Sequence, residues 1–149
     1  MNLSLQRRLV VEDQILRSYF PNFRVQFPAV GVSGGAYGYF LSNSGKKYTL
    51  WIPLENFPQA PPSCYVLEPT LLTYWGTLFT DYQVSARMHT LSPARIGDKL
   101  CVKICHYHDV VWTPEVTLYK VVMKARIWIE AYEKHVANGV EIDTLLGHM

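Results

Sequence analysis

The chain has 149 residues, a length that fits one domain with one substantial hydrophobic core. Charged residues make up only 17% of it, the formal net charge is +2, and the pattern does not indicate a nucleic-acid-binding groove. No apolar stretch approaches the roughly 20 residues that span a bilayer, and the first residues lack the pattern of a signal peptide. We therefore expect a cytoplasmic globular protein in which Cys64, Cys101 and Cys105 are reduced.

The first half of the sequence predicts one helix followed by an antiparallel meander of four strands. Apolar residues recur at helical spacing from about residue 4 to 20, and Glu12 is the one polar interruption. Short connections between the strands favour an antiparallel meander over alternating strand and helix units. The four strands are predicted at residues 23–27, 37–41, 48–52 and 63–67.

The second half predicts a long helix after a segment, 70–100, that has no convincing periodicity. Thr113-Pro114-Glu115 supplies a capping residue, a proline at the first helical position and an acidic residue in the first turn. The helix should end near Asn138-Gly139. Its apolar stripe, which we expect in the core, consists of Leu118, Val121, Val122, Ala125, Trp128, Ile129 and Tyr132.

The stretch between residues 53 and 62 contains four prolines and predicts a rigid, extended loop. Phe57 beside Pro58 suggests that this loop packs on the core of its own domain. The order of helix, meander and this loop resembles the start of the ubiquitin-conjugating (UBC-like) superfamily. The positions that match its pattern are Pro53, Phe57, Pro58, Pro61, Pro62 and Val66. The resemblance implies an α+β, UBC-like fold in a single domain, residues 1–149.

A second motif carries the activity. Residues 97–104, Gly-Asp-Lys-Leu-Cys-Val-Lys-Ile, resemble the active-site segment of the family, and Trp112-Thr113-Pro114 resembles the element that opens its next helix. The resemblance implies that Cys101 is the nucleophile, in an exposed loop after the four-stranded sheet. A thiolate is a strong nucleophile, and a thioester keeps its acyl group activated for transfer to a lysine.

His89 stands where the His-Pro-Asn signature of the family begins, but Thr90 and Leu91 replace the proline and the asparagine. The amide that supports the oxyanion in the family is therefore missing from its expected place. Thr90, His106 and His108 are candidates for that role. The alternative for the two later histidines is that they are polar residues on a solvent-facing loop.

Cys105 is the alternative nucleophile, because Trp112 lies 11 positions after Cys101 but only seven after Cys105. Val102 stands where the motif would then need glycine, which favours Cys101. Cys105 is otherwise a candidate resolving thiol. Cys64 is expected in the core.

A zinc site is a further interpretation of this segment, from Cys101, Cys105, His106 and His108. A structural zinc site usually needs a second, distant pair of ligands, which the sequence does not supply. We therefore expect no metal and no cofactor.

Residues 128–133, Trp-Ile-Glu-Ala-Tyr-Glu, resemble a stretch of the conjugating-enzyme-like domains of bacterial antiphage operons, the CBASS systems. That resemblance implies a partner protein whose C-terminus is the cargo, in some such operons a cGAS-like nucleotidyltransferase, and an acceptor lysine on a protein. A catalytically inactive adaptor with the same fold is the alternative, and the missing asparagine favours it. A zinc-dependent hydrolase would need a ligand set that the sequence lacks.

Overall fold

The computed structural model describes residues 3–30, 34–106 and 111–146, and within them it is an α+β structure. No helix in these ranges is both long and apolar enough to cross a membrane. A short 3-10 helix, Phe79–Tyr82, lies within the segment 70–100, which has no convincing periodicity. The other elements are α1 (Leu3–Tyr19), β1 (Phe23–Gln26), β2 (Gly35–Leu41), β3 (Lys47–Pro53), β4 (Tyr65–Glu68), β5 (Thr90–Ile96), β6 (Lys99–Ile104), α2 (Leu118–Asn138) and α3 (Ile142–Leu146).

The strands form one antiparallel sheet in the order β1-β2-β3-β4-β6-β5. The predicted meander from β1 to β4 is confirmed, but the predicted strand count of four is wrong, because the sheet has six strands in the described part of the chain. The additional pair is a hairpin in which Ile96 lies opposite Lys99 across the two-residue turn Gly97-Asp98. Gly97 has a φ of 65°, a left-handed conformation that glycine adopts without steric cost.

The core lies between the sheet and the two long helices. The predicted stripe on α2 is buried throughout, and it packs with Leu9 and Leu16 of α1 and with alternate residues of the strands. Alternate burial along a strand means that one face of the sheet is covered and the other is more exposed. Cys64, just before β4, belongs to this core, as predicted.

The start of α2 differs from the prediction. Thr113-Pro114-Glu115 forms a turn in which the Val116 amide donates to the Thr113 carbonyl at 3.1 Å. The helix begins four residues later, where the Thr117 side chain accepts a hydrogen bond from the Lys120 amide at 3.3 Å. It ends at Gly139, which has a φ of 77° as expected for a glycine at this position.

Glu133 on α2 holds the turn between β2 and β3. Its carboxylate accepts hydrogen bonds from the Tyr48 hydroxyl at 2.7 Å and from the Ser42 and Ser44 hydroxyls at 2.8 and 2.9 Å. Burial raises the pKa of this carboxyl, but the hydrogen bonds from Tyr48, Ser42 and Ser44 outweigh that effect and lower it below its ordinary value of 4.5.

We expect Glu133→Gln to lower the free energy of unfolding by about 1 kcal/mol at pH 7, because the variant loses charge-assisted hydrogen bonds. The lowered pKa means that the stabilisation is complete above about pH 4.5 and disappears as the pH falls through the folded-state value. Urea unfolding at several pH values should therefore show the difference from the unmodified protein shrinking in acid. Glu130→Gln is the matched control on the same helix, since the Glu130 carboxylate accepts from the exposed Asn43 amide and not from buried hydroxyls within the described residues. If the difference in unfolding free energy between Glu133→Gln and the unmodified protein stays constant from pH 7 down to pH 3, the Glu133 carboxylate does not have this stabilising role.

Candidate functional site

Cys101 lies within β6, not in an exposed loop, so the predicted position of this residue is wrong. Lys103 pairs with both Tyr65 of β4 and Leu91 of β5, so β6 is an internal strand of the sheet. The side chain of Cys101 is only 2% exposed. The physical reason is that the segment satisfies its backbone hydrogen bonds in two ladders, which a loop at the surface would leave to water.

The thiol of Cys101 nevertheless lies outside the hydrophobic core. Val102 and Ile104 belong to the core, and successive strand residues point to opposite faces, so Cys101 points to the other face of the sheet. Burial raises the pKa of the Cys101 thiol, while Lys99 and a backbone hydrogen bond at Ile96 lower it. By contrast, complete burial raises the pKa of the core residue Cys64 to about 12.

A β-bulge lies directly beside Cys101. The register between β5 and β6 shifts between Leu91 and Ala94, and Ala94 is the residue that pairs with Cys101. Between these pairs, Ser92 and Pro93 of β5 lie opposite the single residue Val102 of β6. Pro93 has no amide hydrogen to donate. β5 is also the edge strand of the sheet, so one interrupted ladder holds it against β6.

Cys105 follows the last residue of β6 and is half-buried. Its amide donates to the His89 carbonyl at 2.9 Å, which continues the ladder between β5 and β6 by one step. Burial raises the pKa of the Cys105 thiol, and Lys103 lowers it. Four extended residues span about 13 Å, and a disulfide needs Cα atoms within about 7 Å, so a direct bond between Cys105 and Cys101 does not fit this geometry.

His89 lies one residue before β5 and has a φ of 52°, which is uncommon for a residue other than glycine. Its Nε2 atom lies 2.7 Å from Oδ1 of Asp143, in the short helix α3. The hydroxyl of the next residue, Thr90, is buried and donates to the Gln83 carbonyl at 2.9 Å. The Thr90 hydroxyl proton is therefore engaged in a local hydrogen bond.

His106 is buried, not on a solvent-facing loop, with 4% of its surface exposed. Burial lowers its pKa to about 4, so the imidazole is neutral at pH 7, and its Nδ1 lies 3.3 Å from the Ile104 carbonyl oxygen. A histidine of such low basicity is a weak proton acceptor. His108 lies outside the described residues.

The proline-rich loop packs on the core, as predicted. The Trp112 indole donates to the Pro58 carbonyl at 2.8 Å and meets the Phe57 ring edge to face at 6.2 Å. The guanidinium of Arg8 lies 5.0 Å from the centre of the same Phe57 ring. The proline-rich loop and Trp112 thus pack against each other beside α1.

The motif at residues 128–133 has a positioning role. The Trp128 indole donates to the Met88 carbonyl at 3.0 Å, directly before His89. The Tyr132 hydroxyl donates to the Leu72 carbonyl at 2.9 Å, and Glu133 holds the β2–β3 turn. Three segments that are far apart in sequence are therefore fixed to one helix.

Asp143 is the residue of this region that the sequence did not indicate. It comes 54 positions after His89, and the only signal available was an acidic residue near a helix start, which is commonplace. In the described ranges, no three histidine, cysteine, aspartate or glutamate residues are close enough to hold a metal ion. No protein-family model, curated protein or solved structure matches the chain.

Proposed function

We propose that the chain is a ubiquitin-conjugating-enzyme-like acyltransferase with a UBC-like fold, which carries the C-terminus of a partner protein as a thioester on Cys101. The observation that supports this best is the position of the thiol. It lies on the face of β6 away from the core, next to the bulge of an edge strand. Bulges are common beside active sites, where they redirect a side chain or end a ladder.

Formation of the thioester on Cys101, the first step, needs little catalytic assistance from the protein. The thiolate of Cys101 attacks the activated carbonyl of the cargo, and the exchange of one thioester for another is close to balance. Burial of the thiol opposes ionisation, and the ammonium of Lys99 favours it. Since Cys101 is covered, we expect a local rearrangement that exposes its thiol when the cargo binds.

Transfer to a lysine needs more catalytic assistance than thioester formation, because the amine must lose a proton and the oxyanion must be stabilised. The loss of one oxyanion donor typically costs about 10²–10³ in rate. The Thr90 hydroxyl already donates elsewhere and His106 is buried. We therefore expect lysine transfer to be the slower of the two steps.

The cargo follows from the family resemblance of residues 97–104 and 128–133. A cGAS-like nucleotidyltransferase whose C-terminus is conjugated in bacterial antiphage (CBASS) defence is the partner that this resemblance implies. The low net charge of +2 favours a protein partner over a nucleic acid or a membrane surface.

A catalytically inactive adaptor with the same fold is the second candidate, and the burial of Cys101 favours it. In that case the thiol is a buried packing group, and the protein binds its partner without forming a covalent bond. The two candidates differ in whether any adduct depends on this one sulfur atom.

The test is intact-mass spectrometry of the protein co-expressed with its genomic neighbours, with and without a thiol reductant. We expect an adduct that thiols release, that Cys101→Ser converts to a thiol-resistant ester, and that Cys101→Ala abolishes. Cys105→Ala is the matched control and should keep the adduct. Loss of the adduct in Cys105→Ala but not in Cys101→Ala would move the nucleophile to Cys105. No covalent adduct in any variant, together with stable binding of the partner, would establish the adaptor.

A further inference from the structure

A cleft of about 440 Å³ lies at the open end of the β5–β6 hairpin and brings together a thiol, an imidazole and a carboxylate. Cys105, His89 and Asp143 all line it. Much of the remaining wall is apolar, from Val84, Ala86 and Leu91. This cleft contains neither Cys101 nor the residues of the bulge, apart from Leu91 at its edge.

Two of the three polar groups are in direct contact, and the third lines the same cleft. Nε2 of His89 is held by Asp143 at 2.7 Å, which leaves Nδ1 as the ring nitrogen for another group. The Cys105 amide donates to the His89 carbonyl, and both residues line the cleft. A carboxylate that orients an imidazole beside a thiol is the arrangement that activates nucleophilic cysteines.

The backbone of this region is fixed on two sides. The Asp143 amide donates to the Arg87 carbonyl at 2.8 Å, which attaches α3 to the segment before β5. The Met88 carbonyl accepts from the buried Trp128 indole. His89 is held between these contacts in a left-handed conformation, a strained state that the surrounding structure imposes.

We propose that Cys105 is a second reactive thiol, with His89 as its proton acceptor and Asp143 as the positioning residue, and that the cleft accepts the acyl group of a thioester. The site does not require Cys101 to carry cargo. The apolar wall favours an acyl group with an aliphatic or aromatic side chain next to the reacting carbonyl.

The reaction is a thioester exchange. The sulfur of Cys105 attacks the carbonyl carbon while its proton passes to Nδ1 of His89. The new carbon–sulfur bond forms as the carbon–sulfur bond to the donor thiol breaks. The departing thiolate then takes the proton from His89, so no oxidant, reductant or other reactant is needed. Burial raises the pKa of the Cys105 thiol, which is why a proton acceptor is needed at pH 7.

The first test measures the alkylation rate of Cys105 by iodoacetamide, followed by peptide mass spectrometry. The charged groups near the thiol are Lys103, which lowers the pKa of the thiol, and Asp143, which lines the same cleft. Because the proton moves within the protein, the rate should change little between about pH 6.5 and pH 8. His89→Asn should react about tenfold more slowly at pH 7, equivalent to about 1.4 kcal/mol, and its rate should rise about tenfold per pH unit.

The variants are chosen to keep the fold. Asparagine tolerates the left-handed backbone of residue 89 better than most residues, and Asp143→Asn preserves the shape of the positioning residue. Asp143→Asn should lie between the parent protein and His89→Asn. Asp81→Asn, an exposed carboxylate that does not line the cleft, should leave the rate and its pH profile unchanged. A role that is merely structural would alter the melting temperature of the Asp143 and His89 variants without changing the pH profile.

The second test uses a benzyl thioester of a short peptide that ends in an apolar residue. We expect an acyl group on Cys105 that hydroxylamine removes, that Cys105→Ala prevents and that Cys101→Ala preserves. Equal alkylation profiles in His89→Asn and the parent protein, or no acyl group on Cys105, would overturn the proposal. Neither experiment contains the cargo, so its failure is distinct from the failure of conjugation on Cys101.

Discussion

Replacing Trp128 by alanine should lower the free energy of unfolding by about 3–5 kcal/mol, because a fully buried indole would leave a large cavity. The ring stacks on Tyr132 at 5.7 Å with an interplanar angle of 4° and meets the edge of Phe79 at 5.6 Å. The substitution also leaves the buried Met88 carbonyl without its donor. Urea unfolding followed by circular dichroism measures the change.

Two further variants separate the contributions. Trp128→Phe keeps most of the volume and removes only the N–H group, so it should cost about 1–2 kcal/mol. Trp75→Ala removes an indole that is 63% exposed and should cost less than about 1 kcal/mol. A Trp128→Ala variant that is no less stable than Trp75→Ala would show that the indole does not have this role.

The two long helices were predictable because their apolar residues repeat at the helical period. Every residue of the predicted α2 stripe is buried. The start of α2 was not predictable, because Thr113 and Thr117 are both good capping residues four positions apart. Thr117 is the cap in the structure, where its hydroxyl accepts the Lys120 amide.

The β5–β6 hairpin escaped prediction for a local reason. Pro93 and the bulge interrupt the alternation that marks a strand, because Leu91 and Ala94 lie on the same face of the sheet although they are three positions apart in sequence. Gly97-Asp98, between the segments that form β5 and β6, is a turn signal. It was instead interpreted as the start of the active-site motif. The wrong position of Cys101 followed directly from this omission.

The pair of His89 and Asp143 could not be predicted at all. It depends on the path of the chain after α2, which brings α3 back to the segment before β5. No periodicity or spacing encodes a contact between two polar residues 54 positions apart. The family motif drew attention to His89, but it indicated neither its partner Asp143 nor its contact with Cys105.

Glu12 is a charged residue in the core of the protein, and two contacts explain its burial. Its Oε2 atom lies 2.7 Å from Nε of Arg8, and its Oε1 atom accepts the Leu118 amide at 2.7 Å. The Leu118 amide is one of the free donors at the start of α2, so the carboxylate of α1 caps the other long helix. Arg8 also donates to the Val116 carbonyl at 3.0 Å.

Glu12→Ala should therefore lower the free energy of unfolding by about 2–4 kcal/mol, because it leaves the Leu118 amide and the Arg8 guanidinium without their shared acceptor. Glu12→Gln keeps an oxygen for the amide and loses the ion pair, so it should cost less. The matched control is Arg17→Ala, which removes an exposed pair with Asp13 at the same spacing on the same helix and should cost about 0.3–0.5 kcal/mol. Urea unfolding of the three variants ranks them. If Glu12→Ala is as mild as Arg17→Ala, Glu12 does not cap α2, and the two long helices are held together by their apolar contacts alone.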